Sequence, residues 1–335
     1  MLLAGDIGGT KTILAIYASE SVIRAPLHEE SFPSARYPDL KDIVHAFLAG
    51  KSQAVDRAVF GVSGPVVKGT ARITNLPWIL EEQKLGHALN LKTVYLLNDL
   101  EALAYAVPIL ESEDLLTLNK GNPVAEGTIA VIAPGTGLGE AFLTFEKGGA
   151  NSRYRSHPSE GGHADFAPIE SLENELLEHL RKRISHVSYE KVCSGPGISE
   201  IYNFLKTSGY GKETEWVSVE LSRAEDPTPV IVKASFNEAR PSKLCRKTIH
   251  LFTSILGAEA GNLALKVLAT GGIYIGGGIA PAIVPALKQG PFLHRFKNKG
   301  RMSDLLARMP VHVITNPKAA LLGTAYFGLH RLCEE

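Results

Sequence analysis

The stretch "DIGGTKT", residues 6–12, combines a carboxylate with two glycines and a threonine between two apolar runs. Glycines let a backbone approach an anion closely, and the N–H groups around Gly8 and Gly9, with the Thr10 hydroxyl, can donate to phosphate oxygens. Asp6 would then hold a hydrated Mg²⁺ beside those phosphates. A plain hairpin turn with a surface aspartate explains the same residues equally well, and the spacing is not that of a Walker A loop.

Two later turns offer similar chemistry. "APGTGLGE" (133–140) presents Thr136 and Gly137 as further phosphate donors, although a hairpin turn is again the alternative. "GGGIAP" (276–281) follows an apolar strand and opens a helix, so its amides face the region beyond the strand end. Taken alone, this third turn is best interpreted as a tight connection.

"NDLEALAYA" carries the carboxylate best suited to general base catalysis. Asp99 would take a proton from a substrate hydroxyl at a strand end, while Asn98 holds a neighbouring hydroxyl. An aspartate before an apolar-periodic run is also a typical helix N-cap. Both interpretations place Asp99 at one strand-to-helix junction.

"HPSEGGHADFAP" (157–168) concentrates Glu160, His163 and Asp165 around two glycines. A polar pocket for a polyhydroxylated ligand fits this pattern, with a surface loop as the alternative. A metal site formed by His157, Glu160 and His163 is disfavoured, because the glycines break any helix that would align them.

"HVSYEKVCSGPG" (186–197) places Glu190 in the first turn of a helix over 188–205 that Ser188 is expected to cap. Charge–dipole stabilisation of that helix is sufficient to explain Glu190. Nothing local makes it a ligand.

The elements that position these residues alternate between strands and helices, which indicates an α/β protein with mixed sheets. Strands are expected at 2–5 and 13–17, and the chain changes after Leu97 from an apolar strand to a helix. A second strand–turn–strand unit at 126–145 aligns Thr136 with Thr10, which hints at two related lobes. A polar loop is expected at 208–230 and a long amphipathic helix at 242–269.

Composition narrows the function class. The 335 residues carry 35 basic and 35 acidic side chains, so no broad charge favours nucleic acid or an anionic membrane. The three cysteines (Cys193, Cys245 and Cys333) lie far apart, which indicates a reducing compartment without structural disulfides. The first residues do not resemble a signal peptide, and no apolar run is long enough to cross a bilayer. We therefore expect a cytoplasmic protein.

Taken together, these stretches resemble the bacterial-type glucokinase family of the sugar kinase/actin-like ATPase superfamily. "GDIGGTKT", "NDLEALAYAVP", "APGTGLGEAFL", "HPSEGGHADFAP", "SYEKVCSGPG" and "GGIYIGGGIAP" occur in the family's order, over residues 3 to about 327. The resemblance implies a small lobe (1–109 with 316–335) and a large lobe (110–315), with ATP and sugar meeting in a cleft.

The resemblance also implies roles for individual residues. It makes Asp99 the base for the sugar 6-hydroxyl and places Asp6 near magnesium. The other implied positions are the sugar-binding Asn98, Glu160, His163 and Glu190, the phosphate-turn Gly8, Gly9, Thr10, Thr136 and Gly137, and the adenosine-side Gly277 and Gly278.

Three departures from the family pattern affect the expected preferences. Lys11 stands where asparagine usually follows Gly-Gly-Thr. Ala133 replaces the glycine that commonly opens the second turn, and Glu140 follows that turn. The cysteine-rich zinc motif of ROK (repressor, open reading frame, kinase) proteins is missing, and no DNA-binding segment precedes the first turn. A ROK-type repressor is therefore not expected.

The expected activity is transfer of the γ-phosphoryl group of MgATP to the 6-hydroxyl of glucose. The alternatives are a kinase of the same fold for another hexose, such as mannose or an N-acetylated amino sugar, a sugar-sensing regulator without turnover, and a plain ATPase. The Glu160/His163 pocket disfavours the plain ATPase. The resemblance alone suggests a homodimer, although the 242–269 helix is as compatible with an internal core as with a subunit interface.

Overall fold

A computed structural model of the chain describes residues 1–19, 23–73, 76–148 and 152–331; Cys333 lies outside these ranges. The elements up to residue 111 are β1 (Leu2–Ile7), β2 (Lys11–Tyr17), β3 (His28–Pro33), α1 (Leu40–Leu48), β4 (Arg57–Val62), β5 (Val66–Val67), β6 (Thr70–Arg72), β7 (Ile79–Glu81), α2 (Glu82–Leu89), β8 (Thr93–Asn98) and α3 (Asp99–Ala106). The later elements are β9 (Leu115–Asn119), β10 (Ile129–Pro134), β11 (Leu138–Glu146), β12 (Arg153–Ser159), α4 (Ser171–Arg181), α5 (Gly195–Thr207), α6 (Glu215–Arg223), α7 (Pro227–Ser235), α8 (Lys243–Val267), β13 (Gly272–Ile275), α9 (Ile279–Ala282), α10 (Val284–Lys288), α11 (Pro291–Lys297), α12 (Ser303–Arg308), β14 (Val311–Ile314) and α13 (Ala319–Arg331).

The chain divides into two compact units. The first unit contains residues 1–111, the short segment 154–156 and the chain from residue 316 onward. The second unit contains residues 112–153 and 157–315. Within the described residues, no helix combines the length and the apolar character needed to cross a membrane.

The first unit is built on a five-stranded sheet in the order β3-β2-β1-β4-β8. β1 and β2 form an antiparallel hairpin, whereas β1, β4 and β8 run parallel. Side chains alternate across this sheet, so Leu3 and Ile7 of β1 join the core beneath α1, while Leu2 and Ala4 join the core beneath α3 and α13. Because both faces are covered at the centre of the sheet, β1, β2, β4 and β8 are largely apolar, whereas the edge strand β3 is polar and mostly exposed.

The second unit repeats this arrangement and adds one strand. Its sheet has the order β12-β11-β10-β13-β14-β9. The β10–β11 hairpin is antiparallel, and β10, β13 and β14 are parallel, as are β1, β4 and β8 in the first unit. The two glycine turns therefore join equivalent strands of two similar sheets, in agreement with the hint of related lobes.

Two expectations about helices were wrong. The segment expected to be a polar loop at 208–230 contains α6 and the start of α7, which begins with a proline and is capped by the Asp226 side chain. The long helix α8 is not amphipathic: most of its residues are buried against α5, α7, α11 and the sheet. It is an internal core helix of the second unit.

Candidate active site

The opening turn of the first unit is fixed from below by Ser34. The β1–β2 register pairs Ile7 with Thr12, which leaves a four-residue turn at 8–11. The Gly8 N–H donates to the Lys11 carbonyl (3.0 Å), and the Ser34 hydroxyl donates to the Gly8 carbonyl (2.8 Å). The Thr10 side chain is exposed at the tip. The turn is thus held through its carbonyls, which leaves its outer N–H groups and the threonine hydroxyl facing outward.

Asp6 and Asp99 lie close enough for the charge of one to affect the other. Asp6 is the second-last residue of β1, and Asp99 begins α3 after β8. Burial and the charge of Asp99 raise the pKa of Asp6 from its ordinary value of 3.8 to about 6, against the opposing charge of Lys11. Loss of hydration also raises the pKa of Asp99, although its side chain reaches solvent and accepts a hydrogen bond from the Leu100 N–H (2.8 Å).

Asn98, and not Asp99, is the N-cap of α3. Its Oδ1 accepts a hydrogen bond from the Leu100 N–H (3.0 Å), and its Nδ2 donates to the Gly64 carbonyl (2.9 Å). The sequence interpretation of Asp99 as the cap was therefore wrong by one residue, because the extended backbone that a cap requires occurs at Asn98. The Asp99 carboxylate shares the same Leu100 N–H with the Asn98 amide.

The second turn, in the second unit, is one residue shorter. The register pairs Pro134 with Leu138, and the Gly135 N–H donates to the Gly137 carbonyl (2.8 Å). Gly277, with φ of +76°, packs so tightly that an added Cβ would collide with the Pro134 carbonyl. Thr136 is exposed at the tip, and Gly278 starts the short helix α9 with open space beside it. The turn after β13 therefore supports the turn after β10.

Glu190, His163 and Glu160 converge beside this second turn. Glu190 Oε2 accepts a hydrogen bond from the Leu138 N–H (3.3 Å) and lies 3.9 Å from Nε2 of His163. The same nitrogen lies 4.0 Å from Oε2 of Glu160, whose side chain is 85% exposed. These separations exceed hydrogen-bond length, so the ring nitrogen and both carboxylates keep capacity for a ligand.

The segment carrying Glu190 differs from the expected single helix. Tyr189–Lys191 forms one 3₁₀ turn, and Ser188 makes no side-chain capping bond. The cap lies at Ser194, whose hydroxyl accepts from the Gly197 N–H (3.2 Å) and donates to the Glu190 carbonyl (2.7 Å). Glu190 therefore precedes α5 instead of lying in its first turn.

The alternative metal site at His157, Glu160 and His163 is wrong. His157 stacks on Phe142 with ring centroids 4.9 Å apart and hydrogen-bonds Thr144 (2.7 Å), whereas Glu160 and His163 face Glu190. Asp165 bonds His186 at 2.8 Å. Across the described ranges, no cluster of three or more His, Cys, Asp or Glu side chains is arranged to hold a metal ion.

Sequence reasoning missed the residues that support the site. The Ser34 hydroxyl donates to the Gly8 carbonyl, and the Gly64 carbonyl accepts from the Asn98 amide. Neither residue stands in a recognisable motif. Ser194 could have been found, because serine followed by Gly-Pro is a helix-start signal.

Comparisons of the sequence and of the fold with known proteins all find glucokinases. The family model "Glucokinase" matches residues 3–330. The glucokinase of Nostoc punctiforme is 42% identical over 339 residues, covering 97% of this chain and 98% of the relative, and that of Synechocystis sp. is 40% identical, covering 96% of each. The crystal structure of a glucokinase from an Antarctic psychrotroph superposes with a TM-score of 0.81, at 32% identity and 98% coverage of each chain.

Proposed function

The chain belongs to the glucokinase family, and we propose that it transfers the γ-phosphoryl group of ATP to the 6-hydroxyl of glucose with Asp99 as general base. Membership makes it an ATP-dependent hexose kinase with the actin-like ATPase fold that the sequence predicted. The roles of the individual residues follow from the local geometry described above.

Asp99 has the environment that a proton acceptor needs. Its raised pKa makes the carboxylate a better acceptor near neutral pH than an ordinary aspartate. The N–H of Leu100 fixes one carboxylate oxygen, which leaves the other for the sugar hydroxyl. Proton transfer to Asp99 occurs late, because the phosphoryl transition state is loose and needs little activation of the nucleophile.

The sugar-binding role of Asn98 is supported by its hydrogen-bond capacity. A side-chain amide offers two N–H donors and two acceptor lone pairs. Asn98 donates to the Gly64 carbonyl, accepts from the Leu100 N–H and hydrogen-bonds the Asp99 carboxylate. The remaining lone pair of Oδ1 is held in a fixed orientation for one sugar hydroxyl beside Asp99. Glu190, His163 and Glu160 supply the fixed acceptors and donors that a polyhydroxylated ring requires.

The phosphates are assigned to the two glycine turns, through the N–H groups and hydroxyls at Gly8–Thr10 and Thr136–Gly137. The residues around Asp6 fit a magnesium ion, because burial and, secondarily, the charge of Asp99 raise the pKa of Asp6, and a nearby cation would favour its ionised form. Bound through water to Asp6, magnesium would neutralise phosphate charge. When ionised, Asp6 would accept a hydrogen bond from that water and orient it.

The observation that carries this proposal is the hydrogen bond between Glu190 and the second turn. The carboxylate that we propose to bind sugar thus lies beside the turn that we propose to bind phosphate, and this supports the proposal because phosphoryl transfer depends on such proximity.

The test is ATP-dependent formation of glucose 6-phosphate by the purified protein, with Asp99→Ala as the control. Glucose phosphorylation that disappears in the variant supports the reaction and the base together. Turnover of mannose or an N-acetylated amino sugar, but not of glucose, would keep the mechanism and replace the substrate. The absence of phosphorylation with every hexose would refute the proposal.

A further inference from the structure

Two glutamates that the mechanism does not use are buried together in the second unit. Glu140 on β11 is 1% exposed, and Glu259 on α8 is fully buried. Within the described residues, no N–H or hydroxyl group donates to Oε1 of either carboxyl, and Lys266 Nζ stands 3.6 Å from Oε1 of Glu259. Two buried carboxyls with so few donors strongly disfavour two negative charges.

Glu140 contacts the loop that bears Glu160 and His163. Its Oε2 packs against Gly161, the first residue of the 3₁₀ turn Gly161–His163, and an added Cβ at Gly161 would collide with that oxygen. The next residue, Gly162, packs equally tightly on the Leu138 carbonyl. The position of the turn is therefore set by the strand that carries Glu140.

A chain of hydrogen bonds connects Glu259 with Tyr189, the residue before Glu190. Oε2 of Glu259 accepts from Nδ2 of Asn262 (2.9 Å), which also donates to the hydroxyl of Tyr189 (3.0 Å). Lys299 Nζ donates to Oδ1 of Asn262 (2.6 Å) and fixes the orientation of the amide. The two carboxyls thus connect to both sides of the proposed sugar site.

We propose that Glu140 and Glu259 form a positioning pair that holds the Glu160–His163 turn and Glu190 in place for the sugar. This inference rests on the proposed function of those residues. The pair does not touch the substrate; it acts through Gly161 on one side and through Asn262 and Tyr189 on the other.

The charged surroundings make this arrangement sensitive to pH. Burial, the charge of Glu259 and a hydrogen bond to it raise the pKa of Glu140 to about 8, and Lys266 opposes the shift. Burial lowers the pKa of Lys299, whereas burial and the charge of Glu259 raise the pKa of Tyr189. Burial and the charges of Glu259 and Glu140 raise the pKa of Cys193. As the pH rises through about 8, Glu140 ionises, and its charge beside that of Glu259 disturbs the loop that bears Glu160 and His163.

The test compares the KM for glucose of the wild type, Glu140→Gln and Glu140→Ala between pH 6.5 and 9.5, at saturating MgATP. In the wild type the KM should rise above pH 8 more than kcat changes. Glu140→Gln imitates the protonated carboxyl and should flatten that rise, whereas Glu140→Ala should raise the KM about tenfold already at pH 7 by removing the support of the turn. Glu213→Gln replaces a half-buried glutamate that bonds Tyr202 and Lys206, and should retain the wild-type profile.

A Gly161→Ala substitution adds a second measurement. Its methyl group would meet Glu140. The substitution should therefore raise the KM for glucose when made in the wild type, and should raise it less when made together with Glu140→Ala. A flat wild-type KM, or a Glu140→Gln profile with an unchanged rise, would overturn the positioning role while leaving the proposed function intact. An enzyme that phosphorylates no hexose at pH 7 would refute the proposed function and this inference with it.

Discussion

Replacing Asp6 by asparagine is expected to stabilise the fold and to remove activity, and the stabilisation should depend on pH. The pKa of Asp6 is about 6 in the folded protein against an ordinary 3.8. A carboxyl with a raised folded-state pKa contributes stability below pH 3.8 and loses that contribution as the pH rises through about 6. Relative to low pH, the raised pKa of Asp6 therefore lowers the free energy of unfolding by about 3 kcal/mol at pH 7.5 and by about 1.6 kcal/mol at pH 5.

The quantity to measure is the difference in unfolding free energy between Asp6→Asn and the wild type at each pH. Because asparagine does not titrate, any constant effect of the substitution cancels, and the difference should be about 1.4 kcal/mol more favourable to the variant at pH 7.5 than at pH 5. Urea unfolding at 25 °C, without magnesium or nucleotide, gives both values. The same variant should lose about 100-fold in kcat/KM for MgATP, because charge placed for the transferring group is lost.

Asp56→Asn is the matched control. Asp56 hydrogen-bonds the amino terminus, which lowers its pKa, so it is ionised in both the folded and the unfolded protein at pH 5 and at pH 7.5. Its substitution should change the free energy of unfolding by the same amount at both pH values. If Asp6→Asn behaves in the same way, or stabilises more at pH 5, the assignment of a strained, like-charge site at Asp6 is refuted.

Three further substitutions test the remaining roles. Asp99→Asn should lower kcat about 100- to 10,000-fold with little change in the KM for glucose, and near-normal turnover would remove it as the base. Glu190→Gln should raise the KM for glucose about 5- to 150-fold but leave that for ATP unchanged, and an effect on ATP alone would reverse its assignment. Gly277→Ala should raise the KM for ATP, whereas Gly209→Ala, with the same φ of +76° but open space around it, should cost only about 1 kcal/mol of stability. Equal effects of the two glycine variants would show that backbone strain, not the clash with the second turn, is responsible.

Local signals in the sequence were sufficient for most of the sheet. The hairpins on either side of the two glycine turns and the change from β8 to α3 follow from apolar runs and a change of period. The polar stretch at 208–230 was misjudged because its proline and aspartate were weighed as loop residues. In the structure Asp226 caps α7 and Pro227 occupies its first turn, where both residues favour a helix start.

The candidate site was predictable only where its residues stand in contiguous motifs. Glu160 and His163 are three residues apart, and their meeting with Glu190 requires the fold to bring two motifs of the second unit together. Neither spacing nor composition carries that information. The role proposed for Glu190 came from the resemblance to a family, and the structure adds the hydrogen bond from the Leu138 N–H that fixes its side chain beside the second turn.

The repeated sheet order explains why the turns could be found from the sequence while their supports could not. A turn that binds phosphate must expose its glycines and threonine, so its residue types are dictated by chemistry and repeat in both units. A support needs only to fill the space beneath the turn, and the two units do this differently. Ser34, in the 3₁₀ turn that follows β3, holds the first turn by hydrogen bonds, whereas Gly277 packs beneath the second. Glu140 contacts Gly161 in the neighbouring loop. Because no common residue type performs this task, the supports have to be identified from contacts, and the substitutions at Glu140 and Gly277 test them separately.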